Sequence, residues 1–267
     1  MPLSITHLGS GSRGNATLLQ SGETKILIDQ GFSGRQLNKR LNMIEVEPEQ
    51  IDAIVLTHHH GDHAGGAGIA NRRWNIPVHC NFRTAEKLGF DPLNDVELFE
   101  SLQRMEFGGG LSLLPVPVPH DGADNVAFIA SCDGQRAAVV TDLGSTTEEL
   151  ASHLRGCTHI SIESNYDHGR LWRGPYATSL KHRISSDEGH LSNDQTGELL
   201  ADVVSRKTQS LVLTHLSQEN NLPHLAESTI LYHLDEVFQG DIAISLQDGP
   251  EFTHWIGQSE KETELRI

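Results

Sequence analysis

The run Thr57-His58-His59-His60-Gly61-Asp62-His63 limits what this chain can fold into more than any other segment. It follows Ala53-Ile54-Val55-Leu56, a continuous apolar run typical of a strand that is covered on both faces. Because His58 and His60 are two residues apart, they project to the same side of an extended backbone. Beyond Gly61, where the chain can turn, a carboxylate and a further imidazole can face a second metal ion. Such donors suit Zn²⁺ or Mn²⁺, so we interpret the run as a metal site rather than a chance cluster of histidines.

A second set of possible ligands follows other apolar runs of the sequence. Four acidic or histidine residues each stand at the end of a predicted strand: Asp29, His120, Asp142 and His215. Each has an ordinary structural explanation when taken alone, since an aspartate can cap a helix and a histidine can lie in a turn. Their shared position predicts instead that they meet the histidine-rich run at one edge of the sheets.

A possible acid–base pair lies in the second half of the chain. Glu163 ends another predicted strand, and His190 precedes Ser192-Asn193-Asp194-Gln195, which has the spacing of a helix-capping box. A carboxylate that orients a histidine makes a competent proton donor to a leaving group. From spacing alone, His190 is equally well explained as a loop residue next to a helix start.

The length and charge of the chain narrow the class of protein. It has 267 residues without repeats or a Ser/Pro linker, so we expect one domain over 1–267. A net charge of −16 argues against a broad nucleic-acid-coating surface, whereas 16 histidines suggest metal chemistry. Three cysteines, and a start without the features of a secretory signal, predict a cytoplasmic protein. No apolar run approaches the ~20 residues of a membrane span, so no membrane partner is expected.

Predicted strands and helices interleave along both halves of the chain. Short apolar runs predict strands over 4–8, 16–20, 25–28, 53–56, 111–118, 126–131, 136–140, 160–163, 211–213 and 242–246. Helices are expected over 33–43, 65–74, 146–154, 175–184, 192–205 and 226–238. This pattern predicts a mixed α/β fold with helices outside packed mixed sheets.

A glycine-rich segment near the start imitates a nucleotide-binding motif. Gly9-Ser10-Gly11-Ser12-Arg13-Gly14 matches G-x-G-x-x-G, which requires a helix directly after the glycines. Asn15 is followed by a hairpin-like sequence instead, so we interpret the segment as a loop between strands. Its backbone amides, with Arg13 and Asn15, could line a site for an anion.

The most basic stretch of this acidic chain contains Arg170, Arg173, Lys181 and Arg183. Such charges ordinarily mark a solvated helix face, and contact with phosphate is the functional alternative. Spacing alone places none of them at a site. The possible phosphate contacts are Arg13, Asn15, Arg170, Arg173 and Lys181.

Together these motifs resemble the metallo-β-lactamase superfamily, and within it the YycJ/WalJ-like group of bacterial exonucleases. The segments that carry the resemblance are 9–15, 57–63, 120–124, 141–144, 163–167, 189–193 and 214–217. The resemblance implies a four-layer αββα sandwich with two metal ions at one edge of the sheets. It also implies a metal-dependent nuclease, with a 5′-to-3′ DNA exonuclease as the characterised type.

The resemblance also implies a role for each site residue. One metal ion would take His58, His60 and His120, the other would take Asp62, His63 and His215, and Asp142 would bridge both. Asp29 would orient one of these ligands. Glu163 and His190 are similar to the paired Glu and His of the superfamily's tRNA-processing phosphodiesterases, which serve leaving-group protonation. Tyr166 stands where the group often has histidine, so position 166 is assigned no catalytic role.

The function expected from all of this is phosphodiester hydrolysis. Two divalent ions, Zn²⁺ or Mn²⁺, would lower the pKa of a bridging water and clamp the scissile phosphate for in-line attack. The expected partner is nucleic acid, DNA rather than RNA, held in a locally basic channel because the acidic surface repels it elsewhere. Two alternatives stay open, namely a lactone or thioester hydrolase on the same metal centre and a metal-binding regulatory protein without turnover.

Overall fold

Two seven-stranded sheets form the centre of this computed structural model, which describes residues 2–234 and 237–256. The first sheet contains β1 Leu3–Gly9, β2 Ala16–Ser21, β3 Thr24–Ile28, β4 Ala53–Val55, β5 Val78–Cys80, β6 Glu97–Leu98 and β14 Thr253–Ile256. The second contains β7 Met105–Glu106, β8 Ser112–Pro117, β9 Val126–Cys132, β10 Gln135–Val140, β11 His159–Glu163, β12 Ser210–Thr214 and β13 Asp241–Ile244. The strand orders are β14-β1-β2-β3-β4-β5-β6 and β13-β12-β11-β10-β9-β8-β7.

The helices of the described residues connect these strands. They are α1 Gly34–Asn42, α2 Gly61–Ala64, α3 Ala67–Trp74, α4 Phe82–Leu88, α5 Glu148–Leu154, α6 His168–Arg173, α7 Thr178–Ile184, α8 Asn193–Val203 and α9 Pro223–His233. Ser33 caps α1, and Ser192 forms the predicted capping box with Gln195 at the start of α8. Within the described ranges, every helix is too short or too polar to cross a bilayer.

Three apolar cores hold the layers together. One core lies between the sheets and contains strand residues of both, such as Ile26 and Phe128. Another packs the first sheet against its helices through residues such as Leu37 of α1. The third packs the second sheet against α5, α8 and α9 through residues such as Leu200. The layers therefore run helix, sheet, sheet, helix, and the predicted αββα sandwich is confirmed.

Several helix boundaries differ from the prediction. The helix expected over 65–74 is α3, which begins at Ala67, and a separate short helix, α2 over Gly61–Ala64, precedes it. The helix expected from residue 175 begins only at Thr178, since Gly174 is extended before Pro175, as residues preceding proline tend to be. The separate helix α6 was not predicted. In the helix expected over 226–238, α9 runs from Pro223 to His233, and residues 235 and 236 lie outside the described residues.

Parallel pairing brings the ends of several strands to one edge of each sheet. In the first sheet β3 pairs with β4 in parallel, and in the second β10, β11 and β12 do the same. Side chains that follow parallel strands meet at the carboxyl edge of the sheet, where α/β proteins bind their ligands. Most of the predicted site residues stand at the ends of these strands: Asp29 after β3, residues 58–63 after β4, Asp142 after β10, Glu163 at the end of β11 and His215 after β12. His120 follows β8, which pairs with β9 in antiparallel fashion, and His190 precedes α8.

Candidate metal centre

Seven side chains from both sheets meet at this edge in two groups. The first group is His58, His60, His120 and Asp142, and the second is Asp62, His63, Asp142 and His215. Within each group the nitrogen and oxygen atoms that could bind a metal lie within 4.8 Å of one another. Asp142 belongs to both groups. The structure thus brings together all seven residues that the resemblance named as ligands, in the same division.

Unpartnered nitrogen atoms show that these groups fit metal ions. Nε2 of His58, His120 and His215 is buried and has no hydrogen-bond partner among the described residues. Leaving a buried polar atom without a partner costs about 1–3 kcal/mol. In His120 the other ring nitrogen, Nδ1, donates to the carbonyl of Gly189 at 2.8 Å, so Nε2 keeps its lone pair. Unprotonated imidazole nitrogens next to carboxylates are the donors that Zn²⁺ and Mn²⁺ take in proteins.

Asp142 lies at the centre of the cluster. Its Oδ2 lies 2.9 Å from Nε2 of His63, 3.5 Å from Nε2 of His58 and 3.7 Å from Nε2 of His120, and its Oδ1 contacts Nδ1 of His215. Burial alone would raise the pKa of Asp142, but the neighbouring imidazoles of His215 and His63 hold it well below its ordinary value. A charged carboxylate surrounded by histidines is suited to bridge two cations.

Three of the site residues adopt a left-handed backbone conformation. The φ angles of Asp29, Asp142 and His215 are 62°, 51° and 52°. Each residue follows the end of a strand, where the chain turns out of the sheet. Such conformations cost on the order of 1–3 kcal/mol outside glycine and persist where the surrounding structure enforces them. The surrounding structure therefore enforces the turns that carry these three side chains.

Asp29 and Asn15 lie behind the ligands rather than among them. Oδ2 of Asp29 lies 2.7 Å from Nδ1 of His63, and its Oδ1 accepts from the amide of Thr57 at 2.8 Å. A carboxylate in this place orients the imidazole and increases its basicity. Nδ2 of Asn15 lies 3.0 Å from Nε2 of His63 and donates to the carbonyl of Asp62 at 3.3 Å. Asn15 therefore contacts the segment 58–63, which carries four of the possible ligands, and its side chain is buried.

Glu163 and His190 form a pair beside the second group. Nδ1 of His190 lies 2.7 Å from Oε1 of Glu163, which is fully buried and accepts from the amide of Leu143 through Oε2 at 3.0 Å. Burial would lower the pKa of His190, but the Glu163 carboxylate raises it above its ordinary value. The pair also belongs to a third group of possible ligands, with Asp142 and His215. Its geometry suits proton donation and metal binding alike.

A cavity of about 360 Å³ opens over the cluster. One part of its wall consists of the residues His60, Asp62, His120, Asp142, His190 and His215. The rest of the wall comes from Ser12 of the glycine-rich loop, from Leu180, Arg183 and Ile184 of α7, and from Gly61, Asp121 and Gly189. A ligand in this cavity would therefore touch the cluster and α7 at the same time.

The predicted phosphate contacts lie outside the cavity wall. Among the described residues, the wall includes none of the five predicted contacts, Arg13, Asn15, Arg170, Arg173 and Lys181. Nζ of Lys181 donates to the carbonyls of Trp172 at 2.9 Å and Gly174 at 2.8 Å, so it ties α7 to the end of α6. Nη2 of Arg13 lies 3.5 Å from Oδ2 of Asp248. The charge pattern located a basic region without indicating which side chains face inward.

Two features of the site were missed. Asp121 and Arg183 form an ion pair at the cavity, with Nη2 of Arg183 2.6 Å from Oδ2 of Asp121. The signal for Asp121 was its place directly after His120. In addition, Nδ2 of Asn165 donates to the carbonyl of His215 at 2.9 Å and so fixes the turn after β12. Tyr166, for which no role was assigned, is buried, and burial raises its pKa to about 12.

Comparison with known proteins places these features in context. The model of the metallo-beta-lactamase superfamily matches residues 9–171. The exodeoxyribonuclease WalJ of Streptococcus pneumoniae is 31% identical over 245 residues, 90% of this chain and 90% of that protein. The exodeoxyribonuclease YycJ of Bacillus anthracis is 30% identical over 239 residues, 88% of this chain and 90% of that protein. A crystal structure of the metallo-beta-lactamase fold protein YhfI from Bacillus subtilis has a TM-score of 0.72 at 18% identity, covering 96% of this chain and 100% of that one.

Proposed function

Because the chain belongs to the metallo-β-lactamase superfamily and is a metal-dependent hydrolase, we propose that it removes nucleotides from the 5′ end of DNA. The resemblance to the superfamily and to the YycJ/WalJ group is confirmed by the matches. The observation that carries the choice of reaction is the His190–Glu163 pair beside the ligand groups. Phosphodiester hydrolysis needs a proton for the departing oxygen, and this pair can supply it.

The cluster would hold two divalent ions, Zn²⁺ or Mn²⁺. The ligands would be His58, His60 and His120 for one ion, Asp62, His63 and His215 for the other, and Asp142 for both. When bound, such ions lower the pKa of water and neutralise charge on a phosphate. Asp29 would keep the His63 ring in place through the bond to Nδ1.

The role proposed for His190 is that of general acid. Its Nδ1 faces Glu163, so Nε2 is the nitrogen that can give a proton to the leaving oxygen. The carboxylate raises the pKa of the imidazole and therefore increases the protonated fraction near neutral pH. His190 lines the same cavity as residues of both ligand groups, and this position supports the proposed role.

The acidity of the protein favours a strand end as the substrate over the middle of a duplex. With a net charge of −16, most of the surface repels a polyanion. A cavity of about 360 Å³ is within the usual size of small-ligand sites and would admit a terminal nucleotide. This combination supports an exonuclease acting on DNA.

We also place this activity in the cytoplasm. The chain has three cysteines, Cys80, Cys132 and Cys157, and all are buried. Three cysteines scattered through 267 residues are too few for a disulfide framework and fit a reducing compartment.

An assay with several substrates tests the function directly. The metal-loaded protein is incubated with single- and double-stranded DNA labelled at either end, RNA of the same sequence, bis-p-nitrophenyl phosphate and a panel of lactones and thioesters. We expect release of nucleotides from the 5′ end of DNA, faster than from RNA. Turnover of lactones or thioesters without phosphodiester cleavage would refute the proposal, and so would metal binding without any turnover.

A further inference from the structure

An arginine and an aspartate are paired at the wall of the cavity. Arg183 of α7 donates to Oδ2 of Asp121 twice, from Nε at 2.8 Å and from Nη2 at 2.6 Å. Asp121 follows His120, and its Oδ1 lies 3.4 Å from Nε2 of that histidine. The ion pair therefore holds the guanidinium next to the first ligand group.

The guanidinium keeps donors that the pair does not use. Arginine has five N–H groups, and two of those of Arg183 point to Asp121, so three stay available. The side chain is 65% exposed, and the described residues provide no other partner for it. A planar guanidinium with free donors matches the oxygen atoms of a phosphate.

Arg183 differs in charge from the acidic residues that line the cavity. It is the only lysine or arginine among the residues that line the cavity in the described part of the chain. The acidic lining residues are Asp62, Asp121 and Asp142. Without Arg183, a phosphate next to the one at the cluster would meet three aspartates and no lysine or arginine among the described residues of the cavity wall.

The backbone fixes Arg183 relative to the proposed catalytic residues. The amide of His190 donates to the carbonyl of Ile184 at 2.8 Å, and the amide of Asp121 donates to the carbonyl of Glu188 at 2.9 Å. Gly189 fits between these segments because a Cβ there would lie 2.3 Å from the carbonyl oxygen of Arg183. The end of α7, which carries Arg183, is thus joined by close backbone contacts to the segment that carries His190.

From this geometry we infer that Arg183 binds a phosphate of the DNA strand adjacent to the phosphate at the metal cluster, with Asp121 positioning its guanidinium. The inference rests on the proposed function, because it assigns a second phosphate site to the same substrate. A purely structural ion pair is the alternative, and at this exposure such a pair would contribute little to stability.

Kinetics with two substrates test the inference. An oligonucleotide carries neighbouring phosphates, whereas bis-p-nitrophenyl phosphate carries a single one. We expect Arg183→Gln to raise KM for the oligonucleotide about tenfold while kcat changes less than about twofold, as loss of one charged hydrogen-bonding group would do. Turnover of bis-p-nitrophenyl phosphate should stay the same. Arg183→Lys should recover part of the affinity, since it keeps the charge without the planar fork.

Salt dependence gives a readout that a structural role would not change. Loss of one phosphate contact should reduce the slope of log kcat/KM against log salt by about 0.7 for single-stranded DNA. Arg155→Gln is the matched control, because Arg155 is paired with Glu148 and Asp202 outside the cavity. It should leave KM and the slope unchanged.

Three outcomes would overturn the inference. Equal losses on both substrates would mean that Arg183 maintains the cluster, and unchanged kinetics on the oligonucleotide would mean that it binds no phosphate. In both cases the wild-type protein still cleaves DNA, so the proposed function stands. If the wild-type protein cleaves no DNA, the proposed function fails and this inference fails with it.

Discussion

Glu163 Oε1 lies 2.7 Å from Nδ1 of His190 and so joins the end of β11 to the loop that precedes α8. The two residues are 27 positions apart in sequence. The carboxylate is fully buried and the imidazole lines the cavity, so one member of the pair orients the other. The same pair lies close enough to Asp142 and His215 to serve as ligands. The geometry of the pair therefore suits two roles, proton donation and metal binding.

Replacing the histidine separates the two roles. His190→Ala should reduce DNA cleavage about 10²- to 10⁴-fold, the usual contribution of a general acid, while the metal content stays unchanged. Activity is measured on end-labelled DNA, and metal content by elemental analysis of the purified protein. Loss of metal from this variant would identify His190 as a ligand and contradict its role as the acid.

The pH profile of a second variant tests the orientation by Glu163. A general acid must be protonated, so the rate falls as pH rises through its pKa. Since Glu163 raises the pKa of His190, Glu163→Gln should move the alkaline limb of the kcat profile to lower pH. An unchanged alkaline limb would show that another group donates the proton.

Removing the shared carboxylate should affect both ligand groups. Asp142→Ala is expected to abolish measurable hydrolysis and to lower the metal content, because Asp142 belongs to both groups. Elemental analysis and the DNA assay check the two effects in the same preparation. Asp91→Ala, at an exposed position, serves as the control and should change neither. Full metal content in Asp142→Ala would argue against a bridging role.

Asp29 should influence metal affinity without contacting the metal. Asp29→Asn weakens the acceptor for Nδ1 of His63 and is expected to reduce metal affinity about 10- to 100-fold. Titration against a metal indicator measures this. The matched control is Asp52→Asn, because Oδ2 of Asp52 accepts from the Lys25 amide at the other end of β3. Equal affinities of the two variants would refute the role of Asp29.

A buried histidine between the sheets should make stability depend on pH. The ring of His7 contacts Thr17 and Ser161, and burial lowers its pKa to about 3. The unfolded chain binds a proton below pH 6.5 that the folded chain rejects, so stability falls as pH drops from 6.5 towards 3. The expected loss is about 1.4 kcal/mol per pH unit. Urea unfolding at several pH values should show that the free energy of unfolding of His7→Gln changes less with pH than that of the wild-type protein. An identical dependence on pH would contradict this account.

The site could be read from sequence because its residues follow strongly apolar strands. The run 53–56 predicted a buried strand, and the structure places the histidines directly after it. The same reasoning located Asp29, Asp142 and His215. The glycine-rich loop between β1 and β2 was also predicted, because the residues after it alternate as in a hairpin.

Features defined by tertiary contacts could not be read in this way. The strand Val78–Cys80 has three residues and too little pattern of its own, and pairing with β4 defines it. Lys181 looked like a surface cation, yet carbonyls at the end of α6 hold its ammonium group. Arg183 belongs to the same basic stretch, but it lines the cavity, where it is paired with the Asp121 carboxylate. Such partners are distant in sequence and leave no local signal.

The proposed ligand groups contain residues that follow strands of both sheets, so the proposed metal centre needs both sheets to be in place. His58 follows a strand of the first sheet, whereas His120 and His215 follow strands of the second. A ribosome-bound chain that ends before β12 lacks one ligand of the second group and the turn that presents it. The chain therefore has to be nearly complete before the proposed metal centre can form.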